Sequence, residues 1–525
     1  MKKRVGLVFL LGILLLFSAI GFGQRIPSDT LVVGMNTGIF ITLDPGAVYE
    51  VASGKIVDAC YAKLLKMEGV DGVLTPVPDL AESWDISEDL MTYTFYLRKD
   101  ARFSNGDFVT AEDMVWSIKR HLSLGKPSTS LIRSIGINAD NMDETIKLID
   151  DHTLSLTFDQ PYASNIILGI LTNQFTGAIN KKVALTREVD GDLAEVWLTD
   201  NTIGAGPYVL VNWERNNLVT LQTNPYYYGE EPKIKRILVR DIPEAANQRL
   251  LLERGDIDVA WNLTGLLLDE ATKNPNVVGV TVLGHSNEYL GMNASWGPLA
   301  DPLVRQAVRY SINYEEIIDT VVNGYAIMNQ GFVSKGYFGY YESNPFYQDV
   351  DKAKALLAEA GYPDGFEVEL MTGTTTTRME EAEKIQADLA KVGIKANVVI
   401  VQMGQAYTIM RAQSHQMIIG GWGNDYPDAD NLAMAFANYD FGQLAWRSVW
   451  NDPYAITLCN WGRLEPNPDK REQIYKDLTE YWLHNSPFAM LYQPLIVFGV
   501  RTEVKNFEEA AFGYGMVFDF TKLYK

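Results

Sequence analysis

The run FEVELMTGTTTTRMEEAEKIQADLAKVGIKANVVI, from Phe366 to Ile400, decides the fold class. Phe366, Val368 and Leu370 alternate as one face of a strand. Ala382, Ile385, Leu389 and Val392 then repeat at helical spacing up to Gly393, and Ala396, Val398 and Ile400 alternate again. Strand, helix and strand in that order imply a parallel pair with a right-handed crossover. In such α/β sheets ligands sit beyond the carboxyl ends of the strands, so the loops after Met371 and after Gly421 are where a site is expected.

Helices and short strands alternate around this unit. Asp301-Pro302 supplies a capping carboxylate and a first-turn proline for a helix predicted through Ala307, Val308, Ile317 and Ile318 to about Gly324. A further helix is expected from Asp349 to Gly361, closed by its glycine. The first half is richer in strands. Tyr93, Phe95 and Leu97 share a face, Leu154, Leu156 and Phe158 repeat the period, and Tyr208 to Trp213 with Leu218 to Thr223 form a hairpin around Arg215-Asn216-Asn217. One helix interrupts them: Thr110 and Asp113 make a reciprocal cap, and Val115, Ile118 and Leu122 form the stripe that packs on a sheet. No Pro/Gly/Ser linker separates the halves, so the lobes are expected to be tightly coupled.

The chain has 525 residues, 66 acidic and 45 basic, for a formal charge of −21. It opens Met1-Lys2-Lys3-Arg4, runs without charge from Val5 to Ile20, and continues Gly21-Phe22-Gly23, which reads as a secretory signal cut after Gly23. An uncleaved anchor is the other reading, but the apolar run is shorter than the roughly 20 residues a spanning helix needs. Cutting there removes the three cations Lys2, Lys3 and Arg4 and takes the charge to −24. Such acidity disfavours nucleic acid. Cys60 and Cys459 are the two cysteines, neither near the cut, so no lipid anchor is expected on a soluble periplasmic or secreted protein. They form either one bridge or two buried free thiols. A chain this long exceeds one hydrophobic core, so two or more lobes are expected.

Enzymatic signatures are missing. His121, His152, His285, His415 and His484 stand too far apart for a local metal pair, and two lone cysteines give no zinc spacing. There is no nucleophile elbow, phosphate-cradling loop or HExxH. Neither metal nor cofactor is expected, although 66 acidic residues leave open a secreted hydrolase working through an Asp/Glu pair. The informative stretch is Gly420-Gly421-Trp422-Gly423-Asn424-Asp425-Tyr426-Pro427-Asp428, which puts an indole, a phenol and two carboxylates on a glycine-rich turn. It reads either as the edge of a ligand site, with a shielded carboxylate for an ammonium, or as an ordinary turn with a buried tryptophan and solvated acids.

Several segments carry a family resemblance. Pro78-Asp79-Leu80-Ala81-Glu82-Ser83-Trp84, Phe103-Ser104-Asn105-Gly106, Thr110-Ala111-Glu112-Asp113, Gly204-Ala205-Gly206-Pro207-Tyr208, Gly255-Asp256-Ile257-Asp258-Val259 and Leu356-Leu357-Ala358-Glu359-Ala360-Gly361-Tyr362 stand in order along the chain. Together they resemble the family 5 extracellular solute-binding proteins, which serve importers for oligopeptides, dipeptides, nickel chelates and some oligosaccharides. The resemblance implies a two-lobed periplasmic-binding-protein-like α/β fold of type II, in the large class with an extra N-terminal subdomain. On that pattern residues 24–287 form the first lobe with an inserted subdomain at about 77–200, residues 288–495 form the second, and 496–525 return to the first.

In peptide-binding relatives the aspartate of this Trp-x-x-Asp-Tyr stretch holds the peptide amino group, which implies that role for Asp425 beside Trp422 and Tyr426. The dipeptide binders place an arginine before the helix of the β-α-β unit for the peptide carboxylate, and Arg378 stands there; a solvent-facing cation is its other reading. Asn36 and Tyr49 resemble the first ligand-facing segment, and Tyr49 is equally a core candidate. Ile419 departs from an arginine found in some oligopeptide binders, and Ala429 from a common proline. The implied function is capture of a small ligand, a peptide first and an oligosaccharide second, by a monomer that hands it to the membrane permease of an ATP-driven importer. A nickel-chelate carrier rests only on relatives and on His415.

Overall fold

The computed structural model describes residues 26–513 and 517–525; the expected signal, residues 1–23, lies outside the described residues. The β-α-β unit forms as its periodicity predicts. Glu367–Thr372 and Lys395–Ile400 pair in parallel, register running from Glu367 against Lys395 to Thr372 against Ile400. The intervening helix, Thr376–Ala390, is capped by the Thr375 hydroxyl, which accepts from the Arg378 amide, and it buries Ala382, Ile385 and Leu389 completely. Gly365 and Gly393 close the unit against each other, both at positive φ. A Cβ on Gly365 would stand 2.0 Å from the Gly393 carbonyl oxygen, so no larger residue fits.

One predicted helix is shorter than its pattern. It begins at Pro302 under the Asp301 cap but stops at Ser311 instead of reaching Gly324. The Asn313 amide donates to Asp388 Oδ2, and the Asn313 side chain caps a separate turn, Tyr314–Glu316, which a π-helical turn at Ile317–Val321 extends. An asparagine side chain competes with helical hydrogen bonds, which is why the apolar periodicity outruns the helix here.

The parallel pair forms one end of a sheet that reaches across both lobes. From that end the order is Lys395–Ile400, Glu367–Thr372, Met417–Gly423, Ser286–Met292, Phe488–Arg501, Val259–Ala260, Thr30–Met35, Arg236–Asp241, Leu218–Thr223 and Tyr208–Glu214. Phe488–Arg501 is the joining strand. Its first residues pair with Ser286–Met292, and Leu495–Arg501 pair with Val277–Leu283, two strands that are consecutive in the chain. One antiparallel ribbon therefore runs from an apolar cluster around Tyr289, Trp482 and Phe488 into another around Trp261, Phe498 and Phe507. Between Leu283 against Leu495 and Glu288 against Tyr492 the two sides of the ribbon do not pair, and Gln493 and Pro494, the latter with no amide hydrogen to give, pair with Ile327 and Ala326. The Gly284 amide donates to Pro494 O, and Gln493 Nε2 donates to Gly284 O, each at 2.8 Å.

A separate four-stranded antiparallel sheet, in the order Ala81–Ile86, Thr92–Leu97, Thr153–Thr157 and Ile146–Asp150, belongs to the first half of the chain. The helix Ala111–Leu124 covers it, held by the predicted reciprocal cap of Thr110 and Asp113. Tyr93, Phe95, Ile118, Leu154 and Leu156 are fully buried between them. Arg120 of this helix binds Asp44 through two hydrogen bonds of 2.7 and 2.6 Å, with both side chains at 0% exposure.

Cys60 and Cys459 are free and buried. Burial pushes the Cys60 thiol up to about 12 and holds Cys459 well above its ordinary value. A thiol-reactive aromatic disulfide should therefore titrate no thiol on the native protein and both after denaturation; a bridged pair would titrate in neither state.

Candidate functional site

The strand Met417–Gly423 leaves the sheet into Asn424-Asp425-Tyr426-Pro427-Asp428, and the last carboxylate fixes the turn. Asp428 receives Arg471 Nη1 at 2.7 Å and Nη2 at 2.6 Å, both side chains being 2% exposed. Asp428 also accepts from the Asp430 amide to start the helix Ala429–Phe436. Asp428 is thus engaged in structure, while Asp425 faces the gap between the lobes.

Asp425 lines a cavity of about 310 Å³. Tyr49, Ser128 and Asn173 reach it from the first lobe, Trp422 and Asn424 from the second, and His285 from the interruption of the joining ribbon. Two contacts cross the gap at Asp425: the Tyr49 hydroxyl donates to Oδ1 at 3.4 Å, and Asn173 Nδ2 donates to the carbonyl oxygen at 3.1 Å. Burial raises the Asp425 pKa above the ordinary carboxylate value, opposed by hydrogen bonds with Asn431 and Tyr49. Tyr49 keeps 55% of its surface exposed at the mouth, yet partial burial of its hydroxyl and the facing Asp425 carboxylate push its pKa up to about 12.

The wall carries polar atoms that the protein does not satisfy. Ser128 Oγ, His285 Nδ1, Trp422 Nε1 and Asn424 Oδ1 are buried without a hydrogen-bond partner, and all four belong to lining residues. Each such atom costs roughly 1–3 kcal/mol, so four around one cavity mark a lining arranged for a guest with its own donors and acceptors. Burial lowers the His285 pKa to about 4, leaving a neutral ring at neutral pH. The Arg447 guanidinium lies 5.4 Å from the centre of the Trp422 ring and steadies the indole.

Of the residues singled out in the sequence, Asp425, Trp422 and Tyr49 line this cavity together. Tyr426 does not. It is 3% exposed, its hydroxyl donates to Asp430 Oδ2 at 2.6 Å, and its ring joins the first-lobe cluster of Tyr93 and Phe95, because an aromatic ring gains more from that apolar socket than from a polar wall. Asn36 closes its own turn instead, accepting from the Gly38 amide at 3.1 Å. Arg378 sits behind Gly421 and donates to Ile419 O and Glu288. His415 is 1% exposed and outside the lining, and burial lowers its pKa to about 4. Ser128, Asn173, Asn424 and His285 are among the lining groups that sequence reasoning passed over, as are Glu50, Gln174 and Tyr407. Only His285 carried a local signal, standing after Gly284 between two alternating apolar runs.

Further contacts close the lobes on each other. Arg463 Nη2 donates to Ser134 O at 2.6 Å, the Ala163 amide donates to Arg463 O at 3.0 Å, and the Arg463 guanidinium lies 4.9 Å from the Tyr162 ring.

The chain is similar to known proteins along most of its length. The family model described as bacterial extracellular solute-binding proteins, family 5, middle, matches residues 75–442. A probable D,D-dipeptide-binding periplasmic protein of Escherichia coli (strain K12) is 28% identical over 492 residues, 92% of each chain. A dipeptide-binding protein of the same organism is 27% identical over 494 residues, 90% of each chain. Among solved structures, the ABC transporter-associated periplasmic binding protein DppA from Helicobacter pylori, in complex with the peptide STSA, superposes with a TM-score of 0.77 at 25% identity, covering 94% of this chain and 98% of that one.

The Asn173 contact has a measurable consequence. Asn173→Ala deletes one hydrogen bond across the gap, worth about 0.5–1.5 kcal/mol, and should weaken binding of any guest by about 2- to 10-fold. Titration calorimetry checks the size of the loss, and small-angle scattering should show a larger radius of gyration in the variant without guest.

Proposed function

The chain belongs to the bacterial extracellular solute-binding proteins, family 5, and on that premise we propose that it captures a peptide between its lobes outside the cytoplasm and delivers it to the permease of an ATP-driven importer. The observation that supports a peptide most is the Asp425 carboxylate in one cavity with four unsatisfied polar atoms. A peptide carries complementary groups in that order of importance. Its ammonium takes the Asp425 carboxylate by charge-assisted hydrogen bonds; its amide groups supply donors to Asn424 Oδ1 and acceptors to Trp422 Nε1 and Ser128 Oγ.

Capture proceeds by closure. We take Gly284-His285 and Gln493-Pro494 as the hinge, with residues 24–287 and 496–525 on one side and 288–495 on the other. A ligand that touches both walls favours the closed state by its differential affinity for it, and the contacts of Tyr426 and Arg463 belong to that state. No bond is made or broken. A monomer without a lipid anchor completes this reading, with the ligand released to the membrane partner on reopening.

The oligosaccharide reading has one observation in its favour, the Trp422 indole on the wall, on which a sugar ring can stack. Calorimetry with unblocked di- and tripeptides separates the two. Asp425→Ala should cost about 1.5–3 kcal/mol, which is about 10- to 150-fold in affinity, and acetylating the peptide amino group should cost the wild type as much. Heat from neutral oligosaccharides alone, lost with Trp422→Ala and kept with Asp425→Ala, would overturn the peptide reading.

A further inference from the structure

The cavity that holds Asp425 has a second carboxyl, and it comes from the other lobe. Glu50 lines the cavity directly after Tyr49. It stands at the N-cap of the helix Val51–Cys60 but makes no cap bond, in a position where serine, threonine, aspartate and asparagine are the usual capping residues. Its carboxyl accepts from Ser53 Oγ at 3.1 Å, and among the described residues it forms no ion pair. The helix therefore leaves most of the hydrogen-bonding capacity of Glu50 unused.

Among the described residues the lining contains no lysine or arginine. His285 stays neutral at neutral pH, because burial, with the Lys55 charge adding to it, lowers its pKa to about 4. The cations near the cavity stand behind its lining, where the protein has partners for them: Lys55 lies near Asp58, Arg378 donates to Glu288, and Arg447 Nη2 donates to Gln443 beside the Trp422 indole. Direct ionic contact with a guest is left to Glu50 and Asp425. Tyr49, Phe175, Tyr407 and Trp422 add four aromatic rings to the same lining. Aromatic faces attract cations, and they also pack the aliphatic stem of a long basic side chain. Ser128 and Asn424, 6% and 5% exposed, each bring an unpartnered polar atom to this space, so its polar groups are not closed on one another.

We propose that the guest is a basic peptide: its amino group meets Asp425, and the ammonium or guanidinium of a lysine or arginine side chain meets Glu50. The inference rests on the peptide reading and names the class of peptide within it. The two carboxyls belong to opposite lobes, so a guest with two cationic groups touches both at once. Closure excludes the water that would otherwise screen these contacts, which strengthens each of them. An acidic side chain in the same place meets the Glu50 carboxyl and no lining cation. One residue thus favours lysine or arginine and rejects glutamate.

The test is titration calorimetry of the full chain with alanine tripeptides that carry one lysine at the first, second or third position. Each is matched by a peptide with norleucine there, which keeps the aliphatic stem and lacks the charge. The carboxyl terminus is common to both members of a pair and cancels from the comparison. At least one lysine peptide is expected to bind wild type about 5- to 50-fold more tightly than its match. In Glu50→Gln that ratio should fall to about twofold or less. Glu50→Lys gives a second reading, since it should turn the preference toward glutamate at the same position, and thermal melts establish that both variants fold. Equal affinities within all three wild-type pairs, or a lysine preference that Glu50→Gln leaves intact, overturn the assignment to Glu50 while the peptide reading stands. No heat from any peptide of the set with wild type overturns both.

Discussion

Both lobes hang on one continuous antiparallel ribbon, and backbone hydrogen bonding decides where it can bend. Phe488–Arg501 pairs with Ser286–Met292 at one end and Val277–Leu283 at the other, and between them Gln493 and Pro494 pair with Ile327 and Ala326 instead. Gly284, His285, Gln493 and Pro494 stand there. One of them also belongs to the candidate site: His285 lines the cavity. On the proposed closure, hinge and wall share one pair of strands, so a guest against the wall acts directly on the segment that moves.

The turn from Asn424 to Asp428 shows how environment divides labour between identical side chains. Asp428 lies in a dry interior where Arg471 neutralises it through two parallel hydrogen bonds, and removing either partner would leave a buried charge, at roughly 3–5 kcal/mol. Asp425, three residues earlier, has no cationic partner, only the Tyr49 hydroxyl and the Asn431 and Asn173 side chains around it. Its carboxylate is underpaired, and the adjoining polar atoms are unpaired. The first aspartate is held ready by the second, which keeps the turn from relaxing toward a geometry that would satisfy Asp425 internally.

Periodicity made much of the architecture legible. The β-α-β unit, the reciprocal cap of Thr110 and Asp113 and the hairpin from Tyr208 to Thr223 all follow local rules that the structure obeys. The site was legible in part: Trp422 and Asp425 stood out as unusual chemistry on a glycine-rich turn. Tyr426, the next residue, was misread because the direction of a ring on such a turn depends on an apolar socket formed by Tyr93 and Phe95, far away in sequence. Ser128, Asn173 and His285 were invisible as a group for the same reason: only the tertiary fold brings them to one cavity. The truncated helix after Asp301 failed differently, through one asparagine whose preference for side-chain hydrogen bonds outweighed an apolar stripe.

The seat of Tyr426 in the opposite lobe separates two properties that are often assumed to change together. An aromatic ring of this kind buries on the order of 150–250 Å², and this one does so away from the guest. On the proposed closure its socket sets how readily the empty protein shuts, a quantity that multiplies the affinity of every solute by the same factor. Residues on the wall act on the ranking of solutes instead. Overall avidity and selectivity are consequently written in different side chains, and a lineage carrying this fold can drift in one without disturbing the other.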